Sequence, residues 1–128
     1  MNSKNILTTI GVLNILQGIA FFIGAKTLTS QSFPNELLEG GGLIVGAAMH
    51  WPLSVSFIVI GIIILSTRSL EMKDAKKVLL SIGIAYLFFL INGLSQHLTT
   101  PVNVPMPALG LIASISILSF YTAFRKTT

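Results

Sequence analysis

Four apolar stretches, at residues 6–25, 43–67, 78–97 and 107–124, contain no Asp, Glu, Lys or Arg. A helix needs about 20 residues to cross a hydrocarbon core, and each stretch is close to that length. In lipid the backbone has no water to bind, so such segments must close their hydrogen bonds internally, as helices do. The charges between the stretches then set the direction of threading. Lys4 precedes the first stretch, Arg68, Lys73, Lys76 and Lys77 separate the second from the third, and Arg125 and Lys126 follow the fourth. Only Lys26 falls on the other side, so the positive-inside rule predicts both termini in the cytoplasm. The expected fold is an all-α integral membrane domain over residues 1–128, an antiparallel bundle of four transmembrane helices. Its small size and short loops point to a prokaryotic cytoplasmic (inner) membrane.

Composition agrees with a lipid solvent. The chain is 52% hydrophobic and 9% charged, where a soluble domain carries about 25% charged residues. The net charge of +4 is explained by topology and by anionic headgroups, and requires no nucleic-acid partner. With no cysteine there is no disulfide, thiolate metal site or thiol nucleophile. Residues 1–23 have the outline of a signal peptide, Lys4 followed by apolar residues, but Ile23 stands where cleavage prefers a small residue. A retained first span is expected.

The outer loop, residues 26–42, is polar. Ser32, Pro34 and Glu36 predict one short interfacial helix, which Gly40, Gly41 and Gly42 would stop. The second apolar stretch exceeds one perpendicular span, and Pro52 interrupts it beside His50 and Trp51. A long, tilted, kinked helix is expected, the alternative being a separate interfacial or re-entrant piece over residues 41–49. Residues 67–77 read as a charged hairpin, and Pro101, Pro105 and Pro107 stiffen the approach to the fourth span.

Without a hydrophobic drive between helices, contact in lipid depends on small and hydrogen-bonding residues. On that rule the inner faces are Gly11, Asn14 and Gly18 with Gln17 on the first span, Ser54 and Gly61 on the second, Ser81, Ala85, Asn92 and Gln96 on the third, and Gly110 and Ser114 on the fourth. Asn14, Gln17, Asn92 and Gln96 would pack helices together or line a polar pocket between the first and third spans. Gly42 and Gly46 form a GxxxG pair suited to an oligomer interface.

The spans carry no charge, which argues against proton- or ion-coupled transport by a single chain. No carboxylate–histidine ligand cluster and no nucleophile with a base in reach can be nominated, so no enzymatic activity of its own is expected. His50 and His97 are the exception. Topology brings both to the outer face at similar depth, each one turn after a glycine, Gly46 and Gly93. Two such imidazoles can ligate haem axially with the glycines leaving room for the macrocycle; with Met49 and Met106 they can bind copper, Glu36 and Glu39 adding carboxylates. The plainer account, preferred here, makes them helix-end residues with no cofactor, and Trp51 an interfacial anchor. The leading expectation is a small polytopic inner-membrane protein without a catalytic centre, an accessory or assembly subunit or a homo-oligomer whose partners are lipid, other membrane subunits or itself. The alternatives are a haem- or copper-binding electron-transfer or ligand module at His50 and His97, and an oligomeric transporter or channel.

Overall fold

The computed structural model describes residues 3–125; Lys126, counted above in the basic tail, lies outside them. Among the described residues there are helices and no strand: α1 (Ser3–Ile23), α2 (Ala25–Ser32), α3 (Asn35–Leu38), α4 (Gly42–Ser66), α5 (Met72–Thr99) and α6 (Met106–Phe124). Four segments, Ser3–Ile23, Asn35–Ser69, Met72–Thr99 and Met106–Phe124, are long and apolar enough to cross a membrane.

The helices associate as two close pairs, α1 with α4 and α5 with α6. Small residues make the first pair possible. A methyl group added at Gly18 would stand 2.6 Å from the Ser54 carbonyl oxygen, and one at Gly61 would stand 2.7 Å from that of Gly11. Gly11 lies against Leu65, Gly18 against Ile58, and Thr29 reaches His50, so numbers fall along α4 as they rise along α1 and α2. In the second pair Gly83 faces Phe120 and Gly93 faces Leu109, again in opposite senses.

Charged and polar residues gather at two ends. Ser3, Lys4, Arg68, Ser69, Met72 and Ala75 line one cleft, and the Lys76 ammonium donates to the Arg125 carbonyl at the close of α6, 2.6 Å away. This is the basic end. At the opposite, histidine end the Asn103 backbone N–H donates to the Ser32 carbonyl at 2.7 Å, and Phe21 meets His50. The apolar core lies toward the basic end, where Ile6, Leu7, Ile10, Ile64, Ala75, Leu79, Ile82, Tyr86 and Ile115 form one buried cluster.

Several local expectations change. The outer loop holds two helices, since α2 continues from α1 through Gly24, whose N–H still bonds the Ala20 carbonyl. Ala25, Thr29 and Ser32, spaced along one face of α2, are buried. Gly40 and Gly41 adopt φ of 59° and 98°, left-handed conformations that glycine enters without steric cost; together they turn the chain into α4. That helix is continuous through Pro52, which removes the separate 41–49 piece. The charged hairpin is largely helical as well, because α5 begins at Met72 and carries Asp74 and Lys77 as an exposed i, i+3 ion pair.

The inner faces change most. Gly11, Asn14 and Gly18 on α1 and Ser54 and Gly61 on α4 are buried as expected. On α5 the buried residues are Ala75, Leu79, Ile82, Gly83 and Tyr86, whereas Ser81, Ala85, Asn92 and Gln96 are exposed. On α6, Gly110 and Ser114 are exposed, and Leu109, Ile115, Ser116, Ser119 and Thr122 are buried. The inner faces of the second hairpin mix large side chains with Gly83, Ser116 and Ser119, so residue size alone does not mark them. Gly42 and Gly46 are occupied inside the chain, against the Leu37 carbonyl and Thr29, so the GxxxG pair is not an outer surface.

Candidate functional site

Three interhelical hydrogen bonds join the four long helices in series. The Ser54 hydroxyl donates to the Gly18 carbonyl at 2.6 Å, linking α4 to α1. The Tyr86 hydroxyl donates to Asn14 Oδ1 at 2.6 Å, linking α1 to α5. The Ser116 hydroxyl donates to the Gly83 carbonyl at 2.9 Å, linking α5 to α6. Asn14 is fully buried and its Nδ2 donates to the Ile10 carbonyl at 2.9 Å, so both ends of the amide are engaged. Tyr86 stands in the middle of the 78–97 stretch; a buried phenol needs a partner, and that need is the sequence signal for its role.

His50 sits at the other end on α4. Its Nδ1 lies 2.9 Å from the Gly46 carbonyl and 3.4 Å from Thr29 Oγ1. A carbonyl only accepts, and Thr29 already gives its own proton to the Ala25 carbonyl, so Nδ1 is the donor in these contacts. Phe21 packs edge-on to the ring, with centroids 6.2 Å apart. His97, near the close of α5, has a buried Nδ1 without a hydrogen-bond partner, as does Gln17 at Oε1. No hydrogen bond or ring contact joins His50 to His97. The glycines before them are filled: a methyl at Gly46 would meet Thr29, and one at Gly93 would meet Leu109 Cδ2 at 2.8 Å. The room that the spacing offered a macrocycle is therefore taken by helix packing.

Met49 and Met106 are exposed, as are Glu36 and Glu39, and no group of three or more His, Asp or Glu able to hold a metal occurs among the described residues. Trp51 is half exposed against Phe22. The four amides do not converge. Asn14 is bound to Tyr86, Gln17 is partly buried, and Asn92 and Gln96 are exposed on α5. Compared with protein-family models, curated proteins and solved structures, the chain matches none.

Proposed function

We propose that the chain is a four-span antiparallel bundle of a prokaryotic inner membrane, with both termini cytoplasmic, acting as an accessory or assembly subunit or as a homo-oligomer. The observation that carries this reading is the use of interior polar groups. Ser54, Asn14, Tyr86 and Ser116 each bind a neighbouring helix, which is the chemistry of adhesion between spans. The orientation is supported by the meeting of Lys4, Arg68, Lys76 and Arg125 at one end. Extraction in mild detergent, followed by native mass measurement and identification of bound proteins, tests the role. A defined complex, with itself or with another membrane protein, is the expected result. A lone chain in both detergent and lipid discs would sink the reading.

A second reading, a haem or copper module, rests on the buried His97 Nδ1, which has no hydrogen-bond partner, although the glycine space for a macrocycle is filled. A Soret band or bound copper that disappears in both His50→Ala and His97→Ala would promote it; colourless, metal-free protein expressed with haem and copper supplied would remove it.

A further inference from the structure

We propose that an exposed stripe of α5, running from Ser81 to Thr99, is the seam of a parallel dimer between two copies of this chain. The inference rests on the membrane orientation proposed above. With about 100° of rotation per residue, α5 divides into three faces. Ala75, Leu79, Ile82, Gly83 and Tyr86 enter the bundle. Ile84, Leu87, Ile91, Leu94 and Leu98 are exposed and wholly apolar, a surface suited to acyl chains. Ser81, Ala85, Phe88, Asn92, Ser95 and Thr99 are exposed as well, and they lie roughly 145° around from the core face. Four of these six side chains are polar, on a helix long and apolar enough to span.

Their spacing alternates four and three residues from Ser81 to Thr99, the repeat of a left-handed two-helix seam. The small residues Ser81, Ala85 and Ser95 permit close approach. Two hydroxyls are satisfied within α5: Ser81 donates to the Lys77 carbonyl at 3.1 Å, and Thr99 to that of Ser95 at 2.7 Å. The Asn92 side chain has no hydrogen-bond partner among the described residues. It sits about 10 Å along the helix from Thr99, inside the apolar segment, where an unpaired amide is costly.

The amide also identifies the occupant. It carries a donor and an acceptor, so an identical amide facing it satisfies both, each Nδ2 donating to the other Oδ1. Two copies inserted with the same orientation about a two-fold axis normal to the membrane set their α5 helices parallel and in register. Asn92 then meets its own counterpart at its own depth, and a single Asn at such a seam position selects a two-stranded, in-register pair. The exposed Gly110 and Ser114 on α6 make no such demand, because Ser114 already donates to the Gly110 carbonyl at 2.8 Å.

The chain contains no cysteine, so single cysteines report cleanly. Phe88→Cys and Ser95→Cys place a thiol on the seam, Leu87→Cys and Leu94→Cys on the lipid face, and Ser114→Cys on α6. In oxidised native membranes the expected result is a disulfide-linked dimer at 88 and 95 in clear excess over 87, 94 and 114. Energy transfer between labelled chains in lipid vesicles should show Asn92→Leu, which removes both amide hydrogen bonds, weakening dimerisation roughly eightfold, with helicity unchanged because the residue is exposed. Equal cross-linking on all faces, dimers only at 114, or no dimer at any position overturns the seam. Cross-linking of 88 and 95 to a different protein overturns the second copy while leaving the accessory-subunit reading standing.

Discussion

The two halves of the bundle are held in different ways. Toward the basic end, α1, α4, α5 and α6 all contribute to one apolar cluster in which Ile6, Leu7, Ile10 and Leu79 have no exposed surface. Toward the histidine end, α5 has no buried residue beyond Tyr86. There the hairpins touch through Phe57 and Phe89, with centroids 6.3 Å apart, and through the Asn103–Ser32 hydrogen bond. Within that half, α1 and α4 meet by backbone proximity at Gly18 and by Ser54. In lipid, tails are as apolar as leucine, so neither half gains from the hydrophobic effect as a soluble core would. The basic half combines close packing of large side chains with the Gly11–Gly61 approach and the Ser116–Gly83 hydrogen bond, whereas the histidine half relies on small residues and a few hydrogen bonds. The contrast teaches that, among the described residues, buried polar groups without partners gather in the open half, at Gln17 and His97, with Ser119 the exception in the closed half, and those of the open half are where a partner or ligand would act.

Gly18→Leu strikes the histidine half hardest. The added side chain meets the Ser54 carbonyl and Ile58, and a backbone oxygen cannot swing aside. A loss of about 3 kcal/mol is expected, the upper end of ordinary overpacking, read as a shifted SDS-unfolding midpoint in mixed micelles by the fluorescence of Trp51, the only tryptophan. If stability is unchanged, the backbone approach does not hold α1 to α4. Next in size, Leu79→Ala should cost about 2 kcal/mol, mostly the cavity contribution, whereas Leu98→Ala, 79% exposed at the histidine end, should stay within about 0.5 kcal/mol. Equal losses would erase the contrast between the halves. Smaller than the Leu79 loss is that of Tyr86→Phe, which removes the hydrogen bond to Asn14 at the boundary between them; about 0.6 kcal/mol is typical of such bonds in a membrane. A Tyr86→Phe, Asn14→Leu double-mutant cycle measures the coupling, and zero coupling would mean the bond does not join the hairpins.

Much of the helix pattern was legible. Long uncharged runs leave the backbone one way to satisfy itself, and the observed α4, α5 and α6 cover the expected spans. What escaped was shorter or relational. The segment 25–32 reads as a polar loop because Lys26, Thr27, Ser30 and Gln31 dominate it, yet Ala25, Thr29 and Ser32 recur on one side and dock on α4. The small-residue rule found the inner faces of α1 and α4 and misplaced those of α5 and α6. It ranks residues by how closely helices can approach, and so cannot tell an internal contact from an external one.

His50 and His97 illustrate the same limit at the candidate site. Their place at one end follows from span counting, but the donor nitrogen of His50 depends on Thr29 and Gly46, and the unpartnered nitrogen of His97 on whatever surrounds it. Asn14 and Asn92 have the same side chain in similarly apolar helices, and one is enclosed with a tyrosine while the other faces outward. Chain chemistry alone determined that four helices form and where charges cluster, because hydropathy and backbone hydrogen bonding are local properties. Which face of each helix turns inward was decided by the tertiary structure, because that choice depends on how the volumes of all four helices fit together at once.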